Sequence, residues 1–204
     1  YHGTHLSKVI MELPKEKQMR TFKCFPTLIH EVKMNIGSHD KTNMRTYIER
    51  DGRSDDLHTM SYFKSLSSKV LECSEKILKD YGHEFEKLEI TSMWGNLLHE
   101  GADHSPHTHS NNILSGVYYL KSGSPIQFFD PRPQANVMIP KKKTNTKYNC
   151  NVIQLDSTVD IALFFPSWLM HWVPPTPNER ISVSWNVLIR GHYGDPNTLQ
   201  NAYI

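Results

Sequence analysis

Three histidines in this sequence have the spacing of a metal-binding face. His107 and His109 are two residues apart, so on an extended backbone their side chains point to the same side. His171 follows 62 positions after His109 (171 − 109), and a distant strand could bring it to the same point. Three protein ligands on one face of a metal leave positions open for substrates. The sequence therefore predicts an open metal centre held by these side chains.

Arg180 indicates what the open positions would take. A guanidinium binds a carboxylate through two parallel hydrogen bonds, so Arg180 could hold the far end of a dicarboxylate whose near end chelates the metal. Strand alternation places Arg180, Ser182 and Asn186 on one face and hydrophobic residues on the other. Buried polar groups without partners cost on the order of 1 to 3 kcal/mol each. A bound dicarboxylate would provide partners for this polar face.

The composition indicates one globular domain. Of 204 residues, 38% are hydrophobic and 10% aromatic, which is enough for a substantial core. The formal net charge of +2 is too small to indicate nucleic acid as a partner. Three widely separated cysteines form neither a zinc pattern nor a disulfide framework, which favours a reducing compartment. No apolar run approaches the roughly 18 residues of a membrane span, so no membrane partner is expected.

The chain is predicted to contain an arm and one domain. Residues 1–20 are polar and lysine-rich, and we expect an N-terminal arm there. Residues 21–204 would form a single domain. Its first part, 21–86, would contain a strand and helices, and 87–190 would form a β core.

Helical patterns are confined to the first part of this domain. A short helical piece is expected near residues 44–50. A longer amphipathic helix is expected from Phe63 to Tyr81, because its apolar residues recur at spacings of three, four and seven. Ser61 is its predicted N-cap, and the helix should end near Gly82.

The remainder of the chain has the pattern of short strands. Six segments are rich in β-branched and aromatic residues and are bounded by turn residues, namely residues 88–96, 113–120, 126–130, 151–155, 161–165 and 180–189. They predict a mainly β sandwich or jelly roll that follows the helical segment. Residues 131–149 form a polar, basic loop. Its lysines, Lys141 to Lys143, are expected to be solvated, with a mobile flap over the substrate as the alternative.

Four motifs together resemble a known enzyme superfamily. They are His107-x-His109, the segments 115–120 and 164–171, and Arg180-Ile-Ser182. In this order they are similar to the iron(II)- and 2-oxoglutarate-dependent oxygenases, above all to the prolyl-4-hydroxylase-like branch with its bacterial and phage relatives. The resemblance covers about residues 22–190. It implies a double-stranded β-helix, a jelly-roll and cupin-like fold.

The resemblance also implies a role for each site residue. His107 and His171 would occupy the two histidine positions that bind iron. Arg180 would bind the C5 carboxylate of 2-oxoglutarate, with Ser182 and Tyr119 beside it. The implied cofactors are Fe(II) and 2-oxoglutarate, with ascorbate as a further candidate.

One position departs from the family pattern. His109 stands where these enzymes have an aspartate or glutamate, so the inferred site has three imidazoles. Neutral ligands would leave the metal one charge unit more positive, and the 2-oxoglutarate dianion could neutralise it. Asp103 is the nearest acidic alternative, although the family pattern gives it no such role. We therefore predict His107, His109 and His171 as the metal ligands and, with Arg180, as the catalytic residues.

The mouth of the site is expected to contain an amide and indole rings. Asn96 could hydrogen-bond the cosubstrate, although a packing role is its plainer interpretation. Trp94, Trp168 and Trp172 would supply aromatic walls for a peptide, a free amino acid or a small metabolite.

These expectations lead to a functional hypothesis. The protein would couple oxidative decarboxylation of 2-oxoglutarate to hydroxylation of an unidentified substrate, such as a peptidyl proline or an amino acid. Its partners would be O₂ and a small-molecule or peptide substrate, and its oligomeric state stays open. The first residues lack the layout of a secretory signal, so a cytoplasmic protein is expected, or a phage protein expressed in the host cytoplasm.

Three alternatives share parts of this pattern. A cupin-type metalloenzyme would use a similar barrel without 2-oxoglutarate, but it would leave Arg180 without a task. A non-catalytic jelly-roll module would bind a metal or ligand through the same histidines in a closed site. A nucleic-acid demethylase would contact phosphates through the basic loop, which the low net charge argues against.

Overall fold

The computed structural model describes residues 21–52, 54–195 and 197–204. The expected arm, residues 1–20, lies outside these ranges. The strands are β1 (His30–Lys33), β2 (Lys87–Leu98), β3 (His104–His107), β4 (Leu114–Lys121), β5 (Ile126–Phe129), β6 (Val152–Leu155), β7 (Ile161–Pro166), β8 (His171–Val173), β9 (Arg180–Arg190), β10 (His192–Tyr193) and β11 (Ala202–Tyr203). The two α-helices are α1 (Ser38–Asp51) and α2 (Lys64–Asp80), and short 3₁₀ turns lie at Leu57–Thr59, Ser61–Phe63 and Pro133–Asn136.

Two antiparallel sheets form the body of the protein. The major sheet has five strands in the order β1-β7-β4-β9-β2, and the minor sheet has four in the order β3-β8-β5-β6. From β3 to β9 the chain passes repeatedly between the two sheets, so the strand pairs are made by segments far apart in sequence. This is the jelly-roll arrangement of a double-stranded β-helix, and the predicted mainly β fold is confirmed.

Two hydrophobic clusters lie on opposite sides of the major sheet. One packs α1 and α2 against the sheet and includes Met44, Phe63 and Tyr118. The other contains Tyr119 and Phe165 with side chains from the minor sheet. Because successive side chains of a strand point to opposite faces, the adjacent residues Tyr118 and Tyr119 separate into the two clusters. Only Tyr119 can therefore reach a site between the sheets.

The helices differ from their predicted bounds at their starts. Ser61 is not the N-cap of the long helix, because it begins a 3₁₀ turn that runs into α2 at Lys64. The N-cap is Phe63, which makes no side-chain capping hydrogen bond. The end agrees with the prediction, since Gly82 follows α2 with a φ of 79°, a left-handed conformation that suits glycine. None of the helices in the described ranges is long and apolar enough to span a membrane.

Candidate metal centre and anion pocket

One strand pairing of the minor sheet places His107 and His171 side by side. β3 and β8 are antiparallel neighbours, and their register sets His107 opposite His171 with ring centroids 4.4 Å apart. His109 lies two residues past the end of β3, and its ring is 5.1 Å from each of the other two. One ligand nitrogen from each residue lies within 4.8 Å of the others. The structure thus brings the three predicted ligands together, while their binding of a metal stays a prediction.

Two of the three rings are oriented by backbone carbonyls. Nδ1 of His107 lies 2.7 Å from the carbonyl oxygen of Ser105, and Nδ1 of His171 lies 2.9 Å from that of Leu169. A carbonyl can only accept, so each Nδ1 carries the proton and each Nε2 has a free lone pair. This is the arrangement in which histidine binds a metal.

Burial keeps His109 and His171 uncharged at neutral pH. Loss of hydration lowers the pKa of His171 to about 3 and that of His109 to about 4, and the neighbouring His107 acts in the same direction on both. Neutral imidazole is the form that coordinates metals. In the described ranges the cluster consists of three histidines without a carboxylate, so Asp103 is not part of it.

Arg180 places a buried positive charge in the same interior. Only 2% of the residue is exposed. Its Nε donates to the carbonyl oxygen of Ser124 over 3.2 Å and its Nη1 to the hydroxyl of Ser182 over 3.0 Å. Burial lowers the pKa of Arg180, but an arginine stays protonated in proteins. Within the part of the chain that the structure describes, its charge forms no salt bridge with a carboxylate.

Tyr119 lies beside this arginine. The guanidinium carbon of Arg180 is 5.0 Å from the centroid of the Tyr119 ring. The Tyr119 hydroxyl is buried and has no hydrogen-bond partner of good geometry among the described residues. Burial raises the pKa of Tyr119 to about 12 against the opposing effect of Arg180, so the phenol is a neutral donor at physiological pH. A ligand next to Arg180 could satisfy this hydroxyl.

A cavity of about 50 Å³ lies between the three histidines and Arg180. Its lining includes the three histidines, Arg180, Trp94, Asn96, Ser184 and His104. Asn96 donates a hydrogen bond from Nδ2 to the hydroxyl of Ser184 over 3.0 Å. The volume is smaller than the roughly 300 to 1,000 Å³ of most ligand pockets. The interior therefore suits a compact ligand, and a larger substrate would bind at its open side.

Only one of the three predicted aromatic walls belongs to this cavity. The Trp94 ring lies 5.7 Å from that of His109. Trp172 instead donates a hydrogen bond to Gln127 and is not in the lining, because the strand neighbours His171 and Val173 take the inward direction. Trp168 lines a separate apolar cavity of about 350 Å³. The prediction that Trp168 and Trp172 line the site is therefore wrong.

Sequence reasoning missed the groups that hold Arg180 in place. Ser124 accepts the Nε hydrogen bond through its carbonyl oxygen. A Cβ added to Gly123 would come within 2.5 Å of the Arg180 Cβ and 2.7 Å of the Thr176 hydroxyl. The only signal was a turn-like Ser-Gly-Ser-Pro sequence, which is common in loops without function.

The sequence matches one protein family. A family model described as "Putative 2OG-Fe(II) oxygenase" matches residues 92–186, a stretch that contains all three histidines and Arg180. No curated protein matches the sequence significantly.

The fold is similar to several solved structures. A prolyl-4-hydroxylase from Pseudomonas putida has a TM-score of 0.59, with 81% of this chain and 89% of that chain covered at 13% identity. HygX from Streptomyces hygroscopicus, solved with nickel and 2-oxoglutarate bound, has a TM-score of 0.56, with 80% and 82% covered at 14% identity. The non-heme α-ketoglutarate-dependent epimerase SnoN from nogalamycin biosynthesis has a TM-score of 0.61, with 85% and 83% covered at 10% identity.

The family model and the similar structures agree on one class of protein. The model that matches residues 92–186 describes the superfamily of iron(II)- and 2-oxoglutarate-dependent oxygenases, and the fold of the chain is similar to that of a prolyl-4-hydroxylase. The two cofactors expected from the sequence, Fe(II) and 2-oxoglutarate, are those of this superfamily.

Proposed function

We propose that this protein is an oxygenase that hydroxylates a small-molecule or peptide substrate at the expense of 2-oxoglutarate and O₂. His107, His109 and His171 would hold Fe(II), and Arg180 would bind the distal carboxylate of 2-oxoglutarate. In the overall reaction one oxygen atom of O₂ enters the substrate and the other enters succinate, while CO₂ is lost. The bound iron and the 2-oxo acid supply the oxidising chemistry, and the protein supplies orientation and exclusion of water.

The unpaired charge of Arg180 is the observation that carries the proposal. An isolated buried charge is expensive, and a buried arginine is normally paired with an acid. Here the described residues provide the Ser124 carbonyl, the Ser182 hydroxyl and the neighbouring neutral Tyr119, but no carboxylate. A carboxylate delivered by the cosubstrate would pair with the guanidinium and accept a hydrogen bond from Tyr119. The donor set thus fits one end of 2-oxoglutarate.

The histidines fit the other end. Their free nitrogens converge on one point of the cavity that Arg180 also lines. A metal held there has three neutral protein ligands and keeps coordination positions for a bidentate anion. Since the distal carboxylate would pair with Arg180, the metal and the chelating carboxylate would together keep one positive charge more than in a site with a carboxylate ligand. Ser182 would fix Arg180, and Asn96 with Ser184 would provide polar contacts nearer the mouth.

The type of oxidation is part of the proposal. The titles of two similar structures name a prolyl-4-hydroxylase and an epimerase, so the shared fold serves different outcomes. We propose hydroxylation because oxygen insertion needs only a C–H bond positioned at the open side of the metal, and this cavity contains no additional acid or base in its described lining apart from histidines and Arg180. Ascorbate would serve as a reductant that keeps the iron divalent.

The decisive experiment measures cosubstrate turnover. Protein loaded with Fe(II) should convert 2-oxoglutarate and O₂ to succinate and CO₂, and a screen of peptides, amino acids and metabolites should identify a substrate that accelerates succinate formation in a fixed ratio to product. Arg180→Ala should weaken binding of 2-oxoglutarate by about 100-fold, as expected for loss of hydrogen bonds to a charged group. Coupled turnover of Arg180→Ala equal to wild type would refute the assigned role.

The same experiment separates the alternatives. A cupin-type metalloenzyme would bind the metal without binding 2-oxoglutarate. A non-catalytic jelly-roll module would bind the metal in a closed site and consume no O₂. Anaerobic addition of 2-oxoglutarate to the Fe(II) protein should produce the visible charge-transfer band of the chelate, and absence of the band would favour one of the two alternatives.

A further inference from the structure

His109 differs from the other two histidines in how it is held. Its ring forms no side-chain hydrogen bond in the described ranges, whereas the rings of His107 and His171 are each fixed by a carbonyl. It also lies beyond the end of β3, so the sheet does not fix its backbone. Its ring lies against Trp94, and the position of its backbone is set by the loop that carries it, residues 108–113.

Both ends of this loop are bonded to one residue. The backbone N–H of His109 donates to the carbonyl oxygen of Ser167 over 2.9 Å. The backbone N–H of Ser167 donates in turn to the carbonyl oxygen of Ile113 over 3.2 Å. The loop contains Asn111 in a left-handed conformation, with a φ of 59°, so its path is tightly turned. A shift of Ser167 would accordingly shift His109.

Ser167 is itself fixed by a buried relay of polar side chains. The Ser115 hydroxyl donates to Oδ1 of Asn186 over 2.7 Å, and Nδ2 of Asn186 donates to the hydroxyl of Ser92 over 3.0 Å. Because Ser115 has a single proton to give, the 2.8 Å bond between Ser115 and Ser167 must have Ser167 as donor. The relay therefore has one direction, from Ser167 through Ser115 and Asn186 to Ser92.

The relay lies in the buried interior, where apolar side chains could pack equally well in its place. Ser115 and Ser167 are fully buried and Asn186 is 7% exposed. Burying such groups brings no gain over apolar residues of similar volume, but a fully satisfied network defines one geometry because any displacement leaves a buried group unpaired. The relay crosses from β2 and β9 through β4 to the segment between β7 and β8. It thus ties the loop of His109 to the centre of the major sheet.

We propose that Ser115, Ser167 and Asn186 are positioning residues that set the third imidazole at the distance a metal requires. This inference rests on the proposed function only in assuming that the three histidines bind a divalent metal. It concerns the position at which this chain has a histidine instead of the carboxylate of its family. A neutral ligand on a loop needs orientation from other residues, whereas the other two histidines obtain theirs from the carbonyl group two residues earlier in the chain.

The test uses Co(II) alone as the probe, followed by its visible absorption in the whole chain. Ser115→Ala removes the centre of the relay and should weaken Co(II) binding about tenfold, as is usual when a group behind a metal ligand is lost. Its spectrum should shift toward that of His109→Ala. The matched control is Ser157→Ala, which removes another buried serine hydroxyl, one that bonds the backbone N–H and carbonyl of Gly123 away from the histidines. The control should bind Co(II) as the wild type does.

A double-mutant cycle distinguishes positioning from general destabilisation. In a His109→Ala background the third ligand is gone, so Ser115→Ala should have no further effect on Co(II) affinity. An effect of the same size with and without His109 would overturn the proposal, as would a wild-type affinity and spectrum for Ser115→Ala. Failure of the wild-type protein to bind Co(II) at all would instead contradict the proposed metal centre. The two failures are therefore distinguishable.

Discussion

His107 and His171 face each other across one antiparallel strand pair, and in each of them Nδ1 bonds the carbonyl oxygen two residues earlier. The same local device thus orients two rings that are far apart in sequence. Neither ring is oriented by a hydrogen bond from a side chain in another part of the sequence. This pair is the rigid part of the candidate metal centre, and His109 is the part that must be positioned separately.

Loss of either member of the pair should abolish tight metal binding. Removing one ligand costs more than the roughly 10- to 100-fold lost with an outer partner of a ligand. We therefore expect His107→Ala and His171→Ala each to weaken Co(II) binding by at least about 100-fold, measured by titration of the visible absorption. Circular dichroism should show an unchanged fold. Tight Co(II) binding by both variants would show that the metal lies elsewhere.

Restoring a carboxylate at position 109 should change the charge balance of the site. His109→Glu adds one negative charge next to the metal, so the 2-oxoglutarate dianion should gain less on binding. We expect its affinity to fall about tenfold, a modest electrostatic effect for a unit charge at short range. His109→Gln is the neutral control. Titration calorimetry of 2-oxoglutarate into the Co(II) proteins measures both, and equal affinities in His109→Glu and wild type would contradict the charge argument.

The variant Tyr119→Phe should show whether the Tyr119 hydroxyl contributes to the stability of the protein or to binding of 2-oxoglutarate. The hydroxyl has no hydrogen-bond partner of good geometry in the described structure, so its removal should leave the free energy of unfolding of the metal-free protein unchanged or raise it by about 1 kcal/mol. If the hydroxyl donates to the cosubstrate, the affinity for 2-oxoglutarate should fall at least about tenfold. Thermal melting and calorimetry give the two values. A destabilised apoprotein with unchanged affinity would assign the hydroxyl a structural role instead.

The buried histidines predict how the metal-free protein responds to acid. Their folded-state pKa values of about 3 and about 4 lie below the ordinary value of 6.5. At pH values between the folded and the ordinary pKa, the unfolded chain therefore binds more protons than the folded protein. The stability that depends on these two neutral histidines is therefore fully present above about pH 7 and falls as the pH drops toward about 3. Allowing for the partial exposure of His109, the loss should be on the order of 3 kcal/mol. Urea unfolding of the double variant His109→Gln/His171→Gln should lose most of this dependence.

Gly123→Ala should change the pocket by displacing Arg180, although Gly123 itself does not line the cavity. The added Cβ would meet the Cβ of Arg180 and the hydroxyl of Thr176, so Arg180 must move. We expect weaker binding of 2-oxoglutarate with unchanged binding of Co(II), because the histidines are not involved. Gly37→Ala is a suitable control, since its Cβ would meet nothing. A parallel loss of Co(II) affinity would point to general disruption.

Long segments rich in β-branched and aromatic residues made much of the fold predictable. β2, β4 and β9 are such segments, and on β9 the alternation of polar and hydrophobic residues placed Arg180 and Ser182 on one buried face. The convergence of His107, His109 and His171 could also be anticipated, because the spacing of the motifs matches that of a known family.

The short strands and the supporting contacts could not be predicted. β3 has four residues and β8 has three, too few for any periodicity to appear. Their pairing depends on distant parts of the chain. Likewise the relay through Ser115 and the carbonyl of Ser124 involves residue types that are common in ordinary loops and strands. Such contacts follow from the packing of the two sheets, which the local sequence does not specify.

The candidate binding groups are divided between the two layers of the jelly roll. His107 and His171 belong to the minor sheet, whereas Tyr119 and Arg180 belong to the major sheet. A chelated dicarboxylate that reaches from one set to the other would act as a cross-brace between layers that otherwise adhere by side-chain packing. Binding of the cosubstrate should consequently reduce motion in both sheets. Slower hydrogen exchange of backbone amides far from the cavity would then report that the site is occupied.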